Sequence, residues 1–345
     1  MAYISFQPND YFNTKLYTGN GSTNAITGIG FQPDMCWWKM RSGTEEHALG
    51  DAVRTAGYIV KPNSTDEQAQ SASYFSSFDS DGFTLGSDDK TNKNTSTYAS
   101  WNWKANGAGS ANTDGSINTT ATSVNTTSGF SISKYTGTGS NASIGTGLGA
   151  IPHMAIFKRI DTGGYNWFVY HRSLGAGKFI ILDTTGAEQS STSIWQNTTP
   201  TSSVITLGGD GGVNASGGTY ICYAFAEKSG FSSMGSYTGN QNADGAFIYT
   251  GHKPAWLLIK NISDGDDGWL LIDNKRSAYN QTYNYLVAHD TSAEGGTGFP
   301  IDLVSNGFKI RGADISYNQS GYTYIYMAFA DEPLVSSNGV PTCAK

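Results

Sequence analysis

The stretch Thr323-Tyr324-Ile325-Tyr326-Met327-Ala328-Phe329-Ala330 decides how this chain reads. Its period is two: Tyr324, Tyr326, Ala328 and Ala330 share one face, and Thr323, Ile325, Met327 and Phe329 the other. Both faces are mostly apolar, the pattern of a central strand covered on both sides. The stretch returns as Thr219-Tyr220-Ile221-Cys222-Tyr223-Ala224-Phe225-Ala226 and, more loosely, as Thr97-Tyr98-Ala99-Ser100-Trp101. Three other landmarks precede it each time. Tyr-Thr-Gly stands at Tyr17, Tyr135 and Tyr237. A Gly, two residues, a Pro and an apolar run ending in Lys follow, with Pro33 and Lys39, Pro152 and Lys158, Pro254 and Lys260. A turn and strand come next, Ser80–Leu85 and Ser305–Ile310, replaced by Thr201–Leu207 in the middle copy. From first to last Tyr the spans are 81, 85 and 87 residues (17 to 98, 135 to 220, 237 to 324). Four ordered landmarks at such constant spacing mark a tandem repeat.

Each copy offers six or seven short strands; in copy two they are Phe130–Tyr135, Met154–Lys158, Trp167–His171, Phe179–Asp183, Ile205–Gly208 and Tyr220–Ala226. Pro33, Pro152 and Pro254 sit where a strand begins and no ladder donor is lost. Evenly spaced short strands predict an all-β fold of three tandem antiparallel β-sandwich modules, each about 100 residues. The divisions are residues 1–107, a Gly/Ser/Thr/Asn-rich linker over 108–129 with one strand around Ile117, then 130–229, 230–333 and a tail over 334–345. The one helical candidate is Thr44 to Ala56, broken by Gly50. Each copy is expected to bury its own core, leaving assembly to the first ten residues, the linker and the tail Leu334–Lys345.

Only 14% of the 345 residues are charged, the net charge is −7 and there is no basic run. A phosphate-tracking groove needs clustered Lys and Arg, so nucleic acid is not an expected partner. No apolar run approaches the ~18 residues of a membrane span, and MAYISFQPND is not a signal peptide. Cys36, Cys222 and Cys343 are too few and too far apart for a disulfide framework or a zinc site.

The phrases YFNTKLYTGNGSTNAITGIGFQPD, SFDSDGFTLG, YASWNWKANG, TYICYAFAEKSG and TYIYMAFADEPLVSSNGVP together resemble repeat-containing virion proteins of marine tailed phages, cyanophage-like ones included. The resemblance runs from Tyr11 to Pro341. It implies lectin-like or jelly-roll-like modules in a tail fibre, head fibre or capsid decoration, made in the host cytoplasm and carried on the virion. The expected partners are other virion proteins, further copies in a homotrimer, and host surface glycans; no catalytic site is implied.

Read for chemistry, the chain has no nucleophile elbow, P-loop, dinucleotide fingerprint or H-E-x-x-H motif. Its five histidines are scattered. Glu67, Glu188 and Glu294 recur after a Thr/Ser turn, but a catalytic carboxylate is rarely triplicated, so a structural role is expected. Lys39, Lys158 and Lys260 recur too, followed by Arg54, Arg172 and Arg276; a Lys that closes a strand by snorkelling over an aromatic is the plain reading. Sugar binding needs exposed rings beside polar groups, and the candidates are Trp101, Trp103, Tyr165, Trp167, Tyr279 and Tyr283, with Tyr285 in the same Asn/Gln-rich stretch as the last two. Acidic loops, above all Asp264, Asp266 and Asp267, offer some of the oxygens calcium needs but lack the distal Glu of a full binding loop.

Overall fold

The computed structural model describes residues 7–333. They form antiparallel sheets, joined by turns, with four one-turn α-helices among the described residues. Among the described residues no helix is long and apolar enough to cross a membrane.

Three units repeat one plan. The principal sheet of unit 1 runs Phe12–Thr18, Thr97–Trp103, Met35–Met40, Ala48–Asp51. In unit 2 the same places hold Phe130–Thr136, Thr219–Phe225, Met154–Arg159 and Phe168–His171, continued by Lys178–Ile181. In unit 3 they hold Ser232–Thr238, Thr323–Phe329, Trp256–Asn261, Trp269–Asp273 and Leu286–Val287. The closing strand is interior each time. Registers agree residue for residue: Tyr17 faces Tyr98, Tyr135 faces Tyr220 and Tyr237 faces Tyr324. Met35, Met154 and Trp256, each two residues past its Pro, face Trp103, Phe225 and Phe329. A smaller sheet closes each sandwich: Asn24–Thr27 with Gly82–Leu85, Ala142–Gly145 with Val204–Leu207, and Phe247–Tyr249 with Gly307–Ile310. Each sandwich has its own core, built on Trp38 and Phe83, on Phe157 and Trp195, and on Phe308 and Tyr317.

A landmark absent from the sequence reading locks the closing strand. Asp88, Asp210 and Asp314 cap one-turn helices that end in Asn92, Asn214 and Asn318. The Asp lies ten residues and the Asn six before Tyr98, Tyr220 and Tyr324. Each Tyr hydroxyl donates into its helix, to the carbonyls of Asp89, Gly211 and Ile315 at 2.6–2.7 Å. Each Asn Oδ1 accepts the backbone N–H of Asn20, Thr138 or Asn240, while its Nδ2 donates to Gly86, Gly208 or Gly312.

The units are not strung as separate beads. The outer faces of the three principal sheets share a fourth apolar core. At its middle the equivalent residues Trp103, Phe225 and Phe329 touch one another, with ring centroids 6.4 Å (Trp103–Phe225), 5.8 Å (Phe225–Phe329) and 5.8 Å (Trp103–Phe329) apart. Three equivalent side chains in mutual contact place a pseudo-threefold axis between them. Burying each such ring stabilises by about 1.5–3 kcal/mol, and the residual void beside them is about 10 Å³ and apolar, offering a water none of the polar partners it needs. This arrangement, made within one chain, explains why both faces of the closing strand are apolar. It also corrects the expectation that each copy needs only its own core.

Two local expectations also change. Thr44 to Ala56 is not helical: Ala48–Asp51 is a fully buried strand, because its apolar residues pair with Met35–Trp38. The 108–129 segment is ordered. Ala121–Asn125 adds an edge strand to Phe130–Lys134, and Ile117 forms a parallel bridge to Ile144. The tail Leu334–Lys345 and six of the first ten residues lie outside the described residues.

Candidate functional site

The repeated charged residues serve the joints between units. Lys39, Lys158 and Lys260 are fully buried. Each ammonium donates once within its unit, to Met40 O (2.9 Å), Tyr165 O (2.5 Å) or Asp267 O (2.5 Å). Each donates again to the next unit, to Thr291 O (3.2 Å), Ser64 O (3.4 Å) or Thr185 O (2.7 Å). Burial lowers each to about 8, with nearby carboxylates pulling upward. His47, Trp167 and Trp269, opposite these lysines, reach the equivalent carbonyls of Val287, Lys61 and Ile181. The contacts run from unit 1 to 3, 2 to 1 and 3 to 2, so the ring is closed. The lysines are thus inter-unit fasteners rather than snorkelling strand ends.

The acidic repeat is corrected by one residue. The backbone N–H groups of Gln68, Glu188 and Glu294 make the equivalent bonds, to Ile160, Ile262 and Arg41 carbonyls. Gln68, not Glu67, therefore matches the other two. Glu294 alone holds a guanidinium from another unit, taking Arg41 in two bonds at 2.8 and 2.9 Å. Arg54 and Arg276 are buried against Asp51 and Asp273 at 2.6 Å. Arg172 does not match them: it pairs with Glu227 on the surface, and Leu174 takes the place of Arg54.

Of the aromatic candidates, Trp101, Trp103 and Trp167 are at most 1% exposed in the shared core, so no sugar can reach them. Alternation had placed Trp101 and Trp103 on one face correctly, but that face is the one the neighbouring units cover. Tyr165 is half-buried under the Arg159 guanidinium, 4.5 Å from the ring centroid. Tyr279 and Tyr283 are exposed, at 81% and 43%. The calcium candidates do not converge. Asp264 accepts the Asp266 N–H within its own turn and Asp267 accepts Asn261 Nδ2. Among the described residues no three His, Cys, Asp or Glu side chains come together as a metal site.

A pocket of about 280 Å³ opens in unit 3. Leu270, Tyr285 and Phe299 give it an apolar floor, the two rings meeting edge to face at 4.4 Å. Asp266, Asp267, His289, Asp290, Ser292 and Ser316 give it a polar rim, with no Lys or Arg among the described residues of the lining. His289 Nε2 lies 3.8 Å from Asp290 Oδ2, and its Nδ1 is buried without a hydrogen-bond partner. Burial lowers the His289 pKa, opposed by Asp290, so the ring is neutral at pH 7 and the rim is net negative.

A family model described as domain of unknown function (DUF7483) matches residues 7–333. The chain belongs to this DUF7483 family. No curated protein and no solved structure matches it.

In this DUF7483 chain, sequence reasoning found Asp266, Asp267 and Tyr285 among the pocket residues, the first two as calcium candidates and the last as a sugar-binding ring. His289, Asp290, Phe299 and Ser316, which it missed, come from two loops and a one-turn helix, with no spacing to link them. The available signal was a difference between copies: where the short helix carries Lys90 in unit 1, it carries Ser316 in unit 3.

Proposed function

We propose that this chain is a non-enzymatic structural and binding protein on the outside of a phage virion, with unit 3 turned towards host surface glycans. The observation that carries the reading is a contrast between inside and outside. Inside, the three units share one plan, and their repeated Lys and Tyr residues are used up in packing. Outside, they differ: the exposed aromatic rings among the described residues, Phe247, Tyr249, Tyr279 and Tyr283, all lie in unit 3. Exposed rings beside amide and carboxylate groups suit the apolar faces and hydroxyls of sugars. The phage-like phrases of the sequence support the virion setting, in which the remaining contacts are with neighbouring virion proteins.

Immunogold labelling of particles locates the protein, and labelling absent from virions overturns the setting. A glycan array on the pure protein tests the contact. Binding that falls at least tenfold in Tyr279→Ala or Tyr249→Ala is expected. A blank array with labelled capsids makes the protein a decoration protein without a receptor role. Release of reducing sugar from host polysaccharide makes it a glycan-degrading tailspike.

A further inference from the structure

One place in the fold is filled in three ways. The second residue of the one-turn helix is Lys90 in unit 1, Gly212 in unit 2 and Ser316 in unit 3, each two past its capping Asp. Across from it, one step beyond the pairs Leu49–Val60, Val169–Ile180 and Leu271–Leu286, stand Lys61, Ile181 and Val287. In unit 1 the gap is closed by ammonium groups. Lys90 Nζ lies 3.6 Å from Glu46, 3.8 Å from Asp88 and 4.0 Å from Glu45, and Lys61 Nζ is 3.0 Å from Glu46. In unit 2 it is closed by the Phe168 ring, so close to Gly212 that a Cβ there would lie 2.1 Å from it. In unit 3 Leu270 replaces the ring, Ser316 and Val287 replace the lysines, and the 280 Å³ pocket remains. The hollow is acidic in both units: Asp267 stands in the place of Glu45, Gly268 in that of Glu46, and Asp266 and Asp290 add carboxylates to the unit 3 rim.

Unit 1 therefore shows what this acidic hollow holds when the chain fills it itself. We propose that the unit 3 pocket binds one amino sugar with a free amine, a hexosamine, its ammonium taking the place that Lys90 takes in unit 1. The volume, just under the usual range of ligand pockets, suits a single monosaccharide. The Tyr285 and Phe299 rings offer a surface for the apolar sugar face. Ser292 and Ser316 offer hydroxyls for its own hydroxyls, and charge-assisted bonds to the carboxylates fix the amine. Lys260 behind the wall is no obstacle, because Lys39 stands in the equivalent position behind Lys90. The sugar part of the proposal rests on the glycan-binding reading above; the ammonium part rests on the comparison of units.

Calorimetry on the full chain at pH 7, with D-glucosamine, N-acetylglucosamine, D-glucose and Nα-acetyl-lysine amide as probes, tests it. Glucosamine is expected to bind at least tenfold tighter than N-acetylglucosamine or glucose, because acetylation removes the charge and glucose lacks it. Ser316→Lys supplies an internal ammonium, Leu270→Phe supplies the unit 2 ring, and each is expected to abolish binding with the melting temperature held or raised. Asp266→Asn and Asp290→Asn are each expected to weaken it several-fold. Glucosamine no tighter than its acetylated form, or unchanged binding in a folded Ser316→Lys protein, overturns the proposal. Lysine amide as tight as glucosamine overturns the sugar part. Calcium taken up in place of glucosamine, and lost in Asp266→Asn, overturns the ammonium part in favour of a metal. Array binding that depends on Tyr279 but ignores Ser316→Lys leaves the surface reading standing without the pocket. Glucosamine binding with a blank array leaves the pocket without the surface reading.

Discussion

Two junctions between units hold a buried ion pair and the third holds none. Between units 1 and 2, Asp51 accepts Arg54 Nε at 2.6 Å and the Tyr223 hydroxyl of unit 2 at 2.7 Å. Between units 3 and 1, Asp273 accepts Arg276 Nε at 2.6 Å and the Trp101 indole N–H of unit 1 at 3.0 Å. Between units 2 and 3 the three corresponding places hold His171, Leu174 and Met327, and His171 Nε2 meets the Tyr326 carbonyl at 3.2 Å. Acid, base and donor have changed together. The difference teaches that this joint tolerates replacement as a set: a lone survivor would be a charge buried without its partner.

The largest expected effect comes from splitting such a set. Asp51→Ala leaves Arg54 buried with a hydroxyl and a carbonyl as partners, and should cost about 3–5 kcal/mol. Urea denaturation of the full chain measures it, and a loss below about 1 kcal/mol would mean that the pair is idle.

The next effect separates the third junction from the others by pH. Burial holds His171 at about 4, below the unfolded value near 6.5. Between these values the unfolded chain binds a proton that the folded one refuses. The contribution is therefore complete above pH 6.5 and is lost as pH falls towards 4, by roughly 3 kcal/mol. His47 and His252 are displaced the same way, His252 to about 3, so the quantity to read is the difference between wild type and His171→Leu. Equal acid sensitivity in both proteins would remove His171 from the account.

The smallest expected effect is the most telling. Asp51→His, Arg54→Leu and Tyr223→Met together rebuild the 2–3 joint at the 1–2 position. Replacing a whole buried ion pair by apolar groups is often neutral, so the triple variant should lie within about 1 kcal/mol of wild type. A triple variant less stable than Asp51→Ala breaks the comparison.

What the sequence disclosed and what it hid have physical causes. The Pro-to-Lys run and the Tyr-rich closing strand announce themselves because strand period and the loss of an N–H at Pro act within a few residues. The six-strand reading of copy two is close to the observed Phe130–Thr136, Met154–Arg159, Phe168–His171, Lys178–Ile181, Val204–Leu207 and Thr219–Phe225. Alternation assigns Trp101 and Trp103 to a face but does not say what lies on it, so two axial core residues read as sugar-binding rings. The Asp and Asn before Tyr98, Tyr220 and Tyr324 were legible in principle, at fixed offsets, but short polar residues in a turn look like ordinary loop composition. The pocket was not legible as a motif. It arises from what unit 3 lacks relative to its siblings, and absence shows only once Lys90, Gly212 and Ser316 are known to be equivalent.

The closed ring bears on how the molecule is made. Arg41 and Glu294 clasp across 253 residues, and Lys39 reaches Thr291 across 252. During synthesis the first two units leave the ribosome with Trp101, Trp103, His171 and Phe225 facing a neighbour that does not yet exist. Each nascent sandwich folds around its own core, but its axial face stays bare until unit 3, whose Phe329 completes the axis, has emerged. That interval, rather than the folded molecule, is where a chaperone would matter, and where a premature stop codon would release an adhesive fragment.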